Sequence, residues 1–174
     1  MWDRRVGGAV AVVEDDGMTG NAPTERSPTV VWATDGSRAS LAAGRVVRGV
    51  CEPDDSALYV VHIAPALATR AHERRIAALR AATSSLRRHG INASLHVVRG
   101  AIGPPARHIA DVARMVDADL LIVATRGRSP LAGAVAGSVS QRLLACAPCP
   151  VLVVPPAAIS AAVPSYREVK QPAA

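Results

Sequence analysis

Residues 124–140 read ATRGRSPLAGAVAGSVS, and they follow an apolar run at residues 120–123. The apolar run is typical of a buried parallel strand, and residues 138–145 have the pattern of a short helix. A strand that ends in a glycine-containing loop and a helix N-terminus is a usual place to hold a phosphate. Free backbone N–H groups and the positive end of the helix dipole both point there. The stretch therefore predicts an anion site at the end of a strand.

The loop itself carries the groups that such a site needs. Gly127 and Gly137 allow a positive φ and a close approach of the backbone to a ligand. The Ser138 hydroxyl can cap the helix or donate to a phosphate oxygen. Arg126 and Arg128 either donate charge-assisted hydrogen bonds to phosphate or are solvated side chains of a mobile loop, and the sequence leaves both open. The spacing excludes a Walker A loop and the dinucleotide pattern G-x-G-x-x-G.

Strands and helices alternate along the rest of the chain. The predicted strands are residues 29–34, 57–63, 91–99, 120–123 and 151–154. The predicted helices are residues 37–50, 68–89, 104–117 and 138–145. Because crossovers between parallel strands are right-handed, this order predicts an α/β fold, a doubly wound five-stranded parallel sheet with helices on both faces. Residues 91–99 alternate in polarity, which predicts an edge strand.

The predicted helices carry recognisable end signals. Ser37 is a good N-cap for the first helix, and Pro104-Pro105 opens the third, where proline is tolerated in a first turn. Gly90 follows the second helix, at the place where a left-handed C-terminal cap belongs.

Four parts of the chain together resemble one known family. Gly127, the nine residues after it, and Gly137-Ser138 match the G-x-x-G-x9-G-[ST] motif of the universal stress proteins, with Ala124 in place of the first glycine. Three further segments match in the family's order, namely residues 30–37, 60–63 and 147–154. The resemblance covers about residues 28–156.

The resemblance implies a Rossmann-like strand order of 3-2-1-4-5 and a site for ATP or another adenine nucleotide where the order reverses, between strands one and four. It implies that Ala33, Thr34 and Asp35 form the turn that contacts adenosine, and that Ile63 meets the adenine through its backbone. A divalent cation, Mg²⁺ or Mn²⁺, is expected with the nucleotide. The other implied contacts are Val123, Ala124, Arg126, Gly127, Arg128, Gly137, Ser138 and Val139.

Three of these positions have more than one interpretation. Asp35 either accepts hydrogen bonds from ribose hydroxyls or only begins the turn into the helix, and its place at the switch point favours the ribose. His62 is interpreted as a packed or capping histidine and not as a catalytic base. The methyl group of Ala124 either tightens the packing of a ribose or blocks it.

Composition bounds the domain organisation and the location. The 174 residues are 49% hydrophobic with no Phe, so the core must consist of Val, Leu, Ile and Ala. We predict a flexible N-terminal extension over residues 1–27, the domain over residues 28–156 and a flexible tail over residues 157–174. The apolar runs are far shorter than the ~20 residues of a membrane span, and residues 9–13 are too short for a secretory signal. A cytoplasmic location without membrane contact is expected.

The positive charge of the chain does not indicate a nucleic-acid partner. The formal net charge is +6 and the pI is about 10.2, and Lys170 is the only lysine. The densest group of arginines, between residues 70 and 88, spreads over a broad helix face and has no interleaved aromatic side chains. A solvated helix surface is therefore favoured over a nucleic-acid patch.

The cysteines are interpreted as packing residues. Cys146-Ala147-Pro148-Cys149 has the C-x-x-C spacing of thioredoxin-type motifs, but it follows a helix, at the end where the dipole disfavours a thiolate. A single C-x-x-C without a second pair or suitably spaced His is also a poor zinc site.

The predicted function is that of a universal stress protein that binds an adenine nucleotide and acts as a sensor or regulator in a stress response. The family implies a homodimer through the last strand, Val151–Val154. No catalytic constellation is evident, so an enzyme is not expected, and any ATP hydrolysis should be slow. The alternative is a dimeric interaction module of the same fold that has lost nucleotide binding.

Overall fold

This computed structural model describes residues 5–6, 9–14, 27–67, 69–125 and 138–155. In this part of the chain the apolar runs form strands, and most of these strands alternate with helices. The strands are β1 Arg5–Val6, β2 Ala9–Glu14, β3 Thr29–Ala33, β4 Ala57–Ile63, β5 Asn92–Arg99, β6 Leu120–Ala124 and β7 Val151–Val154. The helices are α1 Arg38–Ala42, α2 Gly44–Val50, α3 Arg70–Arg88, α4 Pro105–Met115 and α5 Ser138–Cys146.

All seven described strands join one sheet in the order β1-β2-β5-β4-β3-β6-β7. The strands from β5 to β7 are parallel, and in the order of the chain they read 3-2-1-4-5, which confirms the predicted fold. β3 lies at the centre, with Ala33 opposite Val61 of β4 on one side and opposite Val123 of β6 on the other. The strand order reverses between β3 and β6, so the two strand ends lie next to each other.

Successive residues of β3 face opposite layers of helices. Val30 and Trp32 pack in a cluster with α2 and α3, whereas Val31 and Ala33 pack in a second cluster with α4 and α5. All four side chains are buried, since a parallel strand between two helical layers is apolar on both faces. The described core consists mainly of aliphatic side chains, as the composition predicts, and the buried Trp32 is the exception.

The N-terminal segment corrects one prediction. β1 pairs with β2, and β2 runs antiparallel to β5, with Val12 opposite Val97. The flexible extension predicted for residues 1–27 is therefore wrong for these two strands, and β5 is not the edge that its alternating pattern predicted. The physical reason is that β2 has the valine-rich sequence AVAVVE, and the free side of β5 offers a row of N–H and C=O groups to pair with it. The predicted tail, residues 157–174, lies outside the described residues.

Helix ends follow their local sequence signals. Ser37 caps α1, accepting a hydrogen bond from the backbone N–H of Ser40, and Pro105 stands in the first turn of α4. The single helix predicted for residues 37–50 is divided into α1 and α2 at Ala43. Gly90 has a φ of 80° and donates its N–H to the carbonyl of Arg87, which is the predicted left-handed cap of α3.

We predict that Gly90→Ala destabilises the fold by about 1–2 kcal/mol, because an L-residue at this φ is strained. The added Cβ would also stand 3.1 Å from the Cβ of Pro53. The measurement is urea unfolding, with Gly49→Ala as the matched control. Gly49 lies in α2 with ordinary helical geometry, so its replacement should leave stability unchanged or raise it. Equal effects of the two changes would contradict the cap.

Candidate functional site

The carboxyl ends of β3 and β6 meet at one edge of the sheet. The ladder continues one residue beyond each strand, because Thr34 donates its N–H to the Val61 carbonyl and Thr125 donates to the Val154 carbonyl. Ile63, the last residue of β4, lies half-buried at the same edge. The structure thus brings together the strand-end residues that the sequence predicted as neighbours.

The predicted site residues at these strand ends differ in what they can present to a ligand. The side chains of Ala33 and Val123 are buried in the cluster with α4 and α5, so only their backbones can make a contact. Thr34 is buried as well, and Asp35 is half-buried. Ala124 packs its methyl group against the opposite cluster, the one with α2 and α3. The methyl group that departs from the family motif is therefore part of the core packing.

The predicted phosphate loop is only partly described. Ser138 is the first residue of α5 and is exposed, and Val139 is half-buried against the cluster of α4 and α5. Arg126, Gly127, Arg128 and Gly137 lie outside the described residues, so their predicted roles stay predictions.

Hydrogen bonds fix the turn between β3 and α1. One carboxylate oxygen of Asp35, Oδ1, accepts from the Ser37 backbone N–H at 2.9 Å and from the Ser40 hydroxyl at 2.7 Å. The Thr34 hydroxyl lies 2.9 Å from that of Ser40 and accepts from the Gly36 N–H at 3.2 Å. Asp35 therefore has the turn-forming role that was its alternative interpretation. A carboxylate has about four lone-pair sites, so this role is compatible with a ligand contact.

Gly36 is required by the same turn. Its φ is 69°, and a Cβ at this position would stand 3.0 Å from the Cβ of Arg75 on α3. A side chain would be strained by the backbone and would press on the helix. The turn is thus held from within by its hydrogen bonds and from outside by α3.

Three residues that matter for this edge were missed from the sequence. Ser40 is buried and contacts both Thr34 and Asp35, and its spacing from the N-cap Ser37 was the available signal. Thr125 is buried, its hydroxyl has no hydrogen-bond partner among the described residues, and it directly precedes the loop. His72 of α3 is buried against His62, which no local pattern indicated.

His62 connects the turn to α3. Its Nδ1 lies 2.9 Å from the Thr34 carbonyl, and because a carbonyl only accepts, Nδ1 carries the proton. The ring stacks on His72 with centroids 5.3 Å apart, and Nε2 of each ring is buried without a partner in the part of the chain that the structure describes. Burial is the largest effect on His62 and lowers its pKa below the ordinary 6.5. This arrangement is that of a packed, capping histidine.

The cysteines lie where the sequence placed them. Cys146 ends α5 and Cys149 follows it before β7, and both are free thiols. Burial, with a smaller contribution from the charge of Asp119, raises the pKa of Cys149. Burial raises the pKa of Cys51 to about 12. A redox-active cysteine needs a lowered pKa, so Cys149 and Cys51 have the opposite of the required property.

Neither a side-chain metal cluster nor a membrane helix is found in the described ranges. No three His, Cys, Asp or Glu side chains there are grouped so that they could hold a metal ion. No helix in the same ranges is long and apolar enough to cross a membrane.

We predict that Ser40→Ala destabilises the protein by about 1–3 kcal/mol, since it removes a donor from the carboxylate of Asp35 and a partner from the buried Thr34 hydroxyl. Ser84→Ala, on the exposed face of α3, is the control and should change stability by less than about 0.5 kcal/mol. Urea unfolding of both variants measures the difference. A Ser40→Ala protein as stable as the control would show that the network contributes nothing.

Comparison with known proteins identifies the family that this chain resembles. The sequence profile of the universal stress protein family matches residues 27–155. A universal stress protein of Methanocaldococcus jannaschii is 30% identical over 139 residues, which are 72% of this chain and 80% of the relative.

Solved structures agree with this match. A universal stress protein in complex with cAMP is 28% identical, with a TM-score of 0.57, over 73% of this chain and 95% of its own. The universal stress protein from Archaeoglobus fulgidus has the same fold, with 24% identity, a TM-score of 0.58, and coverage of 73% and 93%. The profile match, the identity to the archaeal relative and the strand order agree, and this chain belongs to the universal stress protein family.

Proposed function

We propose that this protein binds ATP or another adenine nucleotide between the carboxyl ends of β3 and β6 and acts as a sensor or regulator in a stress response. The observation that carries the proposal is the pairing of Ala33 with Val123, which sets the Thr34-Asp35 turn beside the start of the loop at residues 125–137. Ligands of open parallel sheets bind where neighbouring strand ends diverge in this way.

The family comparison supports an adenine nucleotide as the ligand. The relative that is 28% identical to this chain was solved with cAMP, which contains adenine, ribose and phosphate. In this chain the corresponding groups would be Ile63 for the base, Asp35 for the ribose hydroxyls and the loop with Ser138 for the phosphates. The N-terminus of α5 adds its dipole to the phosphate end of the site.

The position of Ala124 favours nucleotide binding over a pure interaction module. Ala124 was the one residue that argued for the module, because a methyl group replaces the first glycine of the motif. Its side chain packs with the cluster of α2 and α3, and it is half-buried there. A methyl group that packs in the core would not block a ribose at this strand end.

A divalent cation, Mg²⁺ or Mn²⁺, would be bound mainly by the nucleotide. Mg²⁺ commonly coordinates phosphate oxygens and several waters and needs few protein ligands. This mode fits the described residues, among which no cluster of three metal-binding side chains occurs.

We infer that the protein works by binding and not by turnover. Residues 124–140 contain no lysine, glutamate or aspartate that would act as a base or a phosphate clamp. Arg126 and Arg128 could bind phosphate, but no acidic side chain in this stretch would activate a water as the nucleophile, so any hydrolysis of ATP would be slow.

We also propose a homodimer through β7. Its residues Val151, Leu152 and Val153 are apolar and only half-buried, and β7 pairs with β6 alone among the described strands. Pro150 and Val154 accept hydrogen bonds from β6, so the backbone of Val151 and Val153 faces the other way. A second copy paired along this side would cover an exposed apolar edge.

The loop variant Gly137→Val tests nucleotide binding. A β-branched side chain would occupy the space of the phosphate, so the affinity for ATP should fall at least about tenfold, which is about 1.4 kcal/mol. Gly133→Val is the matched control, because Gly133 lies in the same loop outside the motif. Calorimetric titration of the three proteins gives the affinities. Absence of binding in the unchanged protein, with no nucleotide released on denaturation, would favour the interaction module.

The dimer is tested by Val153→Pro against Val153→Thr. Proline removes the outward N–H of an edge strand without removing a hydrogen bond to β6, whereas threonine keeps it. Sedimentation should show a monomer for the proline variant and a dimer for the threonine variant. A dimer in both would place the interface elsewhere.

A further inference from the structure

The stacked pair of His62 and His72 lies directly behind the turn that the nucleotide is proposed to contact. His62 holds the carbonyl of Thr34 at 2.9 Å, and the hydroxyl of Thr34 joins the hydrogen bonds of Ser40 and Asp35. Both imidazoles are buried, with 2% and 4% of their surface exposed. The pair therefore supports the site without facing a ligand.

We propose that His62, with His72, is the positioning residue of the nucleotide site, and that its protonation weakens nucleotide binding when the pH falls. This inference rests on the proposed function of the same site. It assigns to His62 a regulatory role in addition to its packing role. A neutral ring keeps the hydrogen bond to the Thr34 carbonyl of the turn, and a charged ring loses it.

The surroundings of His62 disfavour a second proton. Nε2 is buried and has no partner within the described ranges, so a proton added there would have no acceptor among these residues. The groups that face the ring from α3 are His72 and Arg75, and both oppose a positive charge. From the turn, the Thr34 carbonyl and the charge of Asp35 favour it, but burial is the largest effect and the pKa of His62 is lowered.

The direction of the pH effect follows from this lowered pKa. Above the ordinary value of 6.5 the ring is neutral whether the chain is folded or unfolded, and its stabilisation of the turn is complete. As the pH falls below 6.5, the His62 ring of the unfolded chain takes up a proton before the buried ring of the folded chain does. The folded state therefore loses stability until the buried His62 is itself protonated. The charged ring is then better solvated if it moves out of its buried position toward water, and this movement breaks the hydrogen bond to Thr34.

The phosphates of a nucleotide oppose this effect only weakly. They would lie by β6 and α5, whereas His62 belongs to β4, on the far side of β3. Two strand spacings amount to about 10 Å, which is about one Debye length at 0.1 M salt. Loss of the turn should therefore outweigh the attraction between a charged ring and the phosphates.

The central test uses variants that separate the proton from the hydrogen bond. His62→Asn keeps an N–H at the position of Nδ1 but does not titrate, and His62→Leu removes both properties. His89→Asn is the matched control, because His89 is exposed at the far end of α3 and bonds to Ser85. Terminal phosphates titrate near pH 6, so the variants are compared with the unchanged protein at each pH.

ATP titration at about pH 8 and about pH 5 gives the expected pattern. At the higher pH the unchanged protein, His62→Asn and His89→Asn should bind alike, and His62→Leu more weakly. At the lower pH the unchanged protein and His89→Asn should bind at least about tenfold more weakly than His62→Asn. An equal fall in His62→Asn, or tighter binding of the unchanged protein than of His62→Asn at low pH, would overturn the proposal.

A second measurement separates this proposal from the proposed function. In the nucleotide-free protein, the backbone amide signals of Gly36 and Ser37 should titrate together with the His62 ring in NMR spectra, and this titration should vanish in His62→Asn. Absence of ATP binding at about pH 8 would contradict the nucleotide site itself. Amide signals that do not follow the His62 ring would contradict the positioning role, whatever the ligand.

Discussion

The parallel pairing of β3 with β6 is the interaction on which the rest of the structure depends. It runs from Val30 opposite Leu120 to Ala33 opposite Val123, and these residues are buried on both faces of the sheet. It joins the half of the chain that contains β4 and β5 to the half that contains α5 and β7. Because the strand order reverses at this pair, its carboxyl end is also the place where a ligand can enter between diverging connections. Stability and the candidate site thus share one set of backbone hydrogen bonds.

A second constraint comes from the scarcity of large side chains. Trp32 is the one tryptophan in the described core, and it lies under α2, where a Cβ on Gly44 would stand 3.3 Å from the Trp32 ring carbon Cη2. Gly44 begins α2 directly after the interruption at Ala43. Accommodation of one large ring therefore coincides with a break in a helix that the sequence pattern predicted as continuous. Elsewhere valine, leucine and alanine allow the helices to lie close to the sheet.

Local signals made most of the fold predictable. Apolar runs marked four of the parallel strands and an alternating pattern marked β5, and Ser37, Gly90 and Pro105 marked helix ends correctly. The strand β2 was not predictable in this way, because most of its six residues pair with β5, far along the chain, and the rest of its pairing comes from the two-residue β1. The break at Ala43 was likewise not predicted; it directly precedes Gly44, which lies against the ring of Trp32.

The candidate site shows the same division. The positions of Thr34, Asp35, Ile63 and Ala124 followed from the strand ends in the sequence together with the strand order that the family resemblance implies. The roles of Ser40 and His72 depend on contacts of α1 with the turn and of α3 with His62. The hydrophobic periodicity of the sequence does not predict such contacts. Asp35 illustrates the limit most clearly: its residue type and its place were predictable, but its two donors were not.

The N-terminal strands make the two edges of the sheet different in how they could pair with a second copy. β2 covers the side of β5 that would otherwise be open, and the outermost strand there, β1, has only two residues. The opposite side ends in β7, with an apolar row of four residues. A sheet with two open edges can add copies at both ends and grow into a ribbon. A contact between β7 and β7 of a second copy would use the same strand of both copies, so growth along the sheet through this edge would stop when two copies have met.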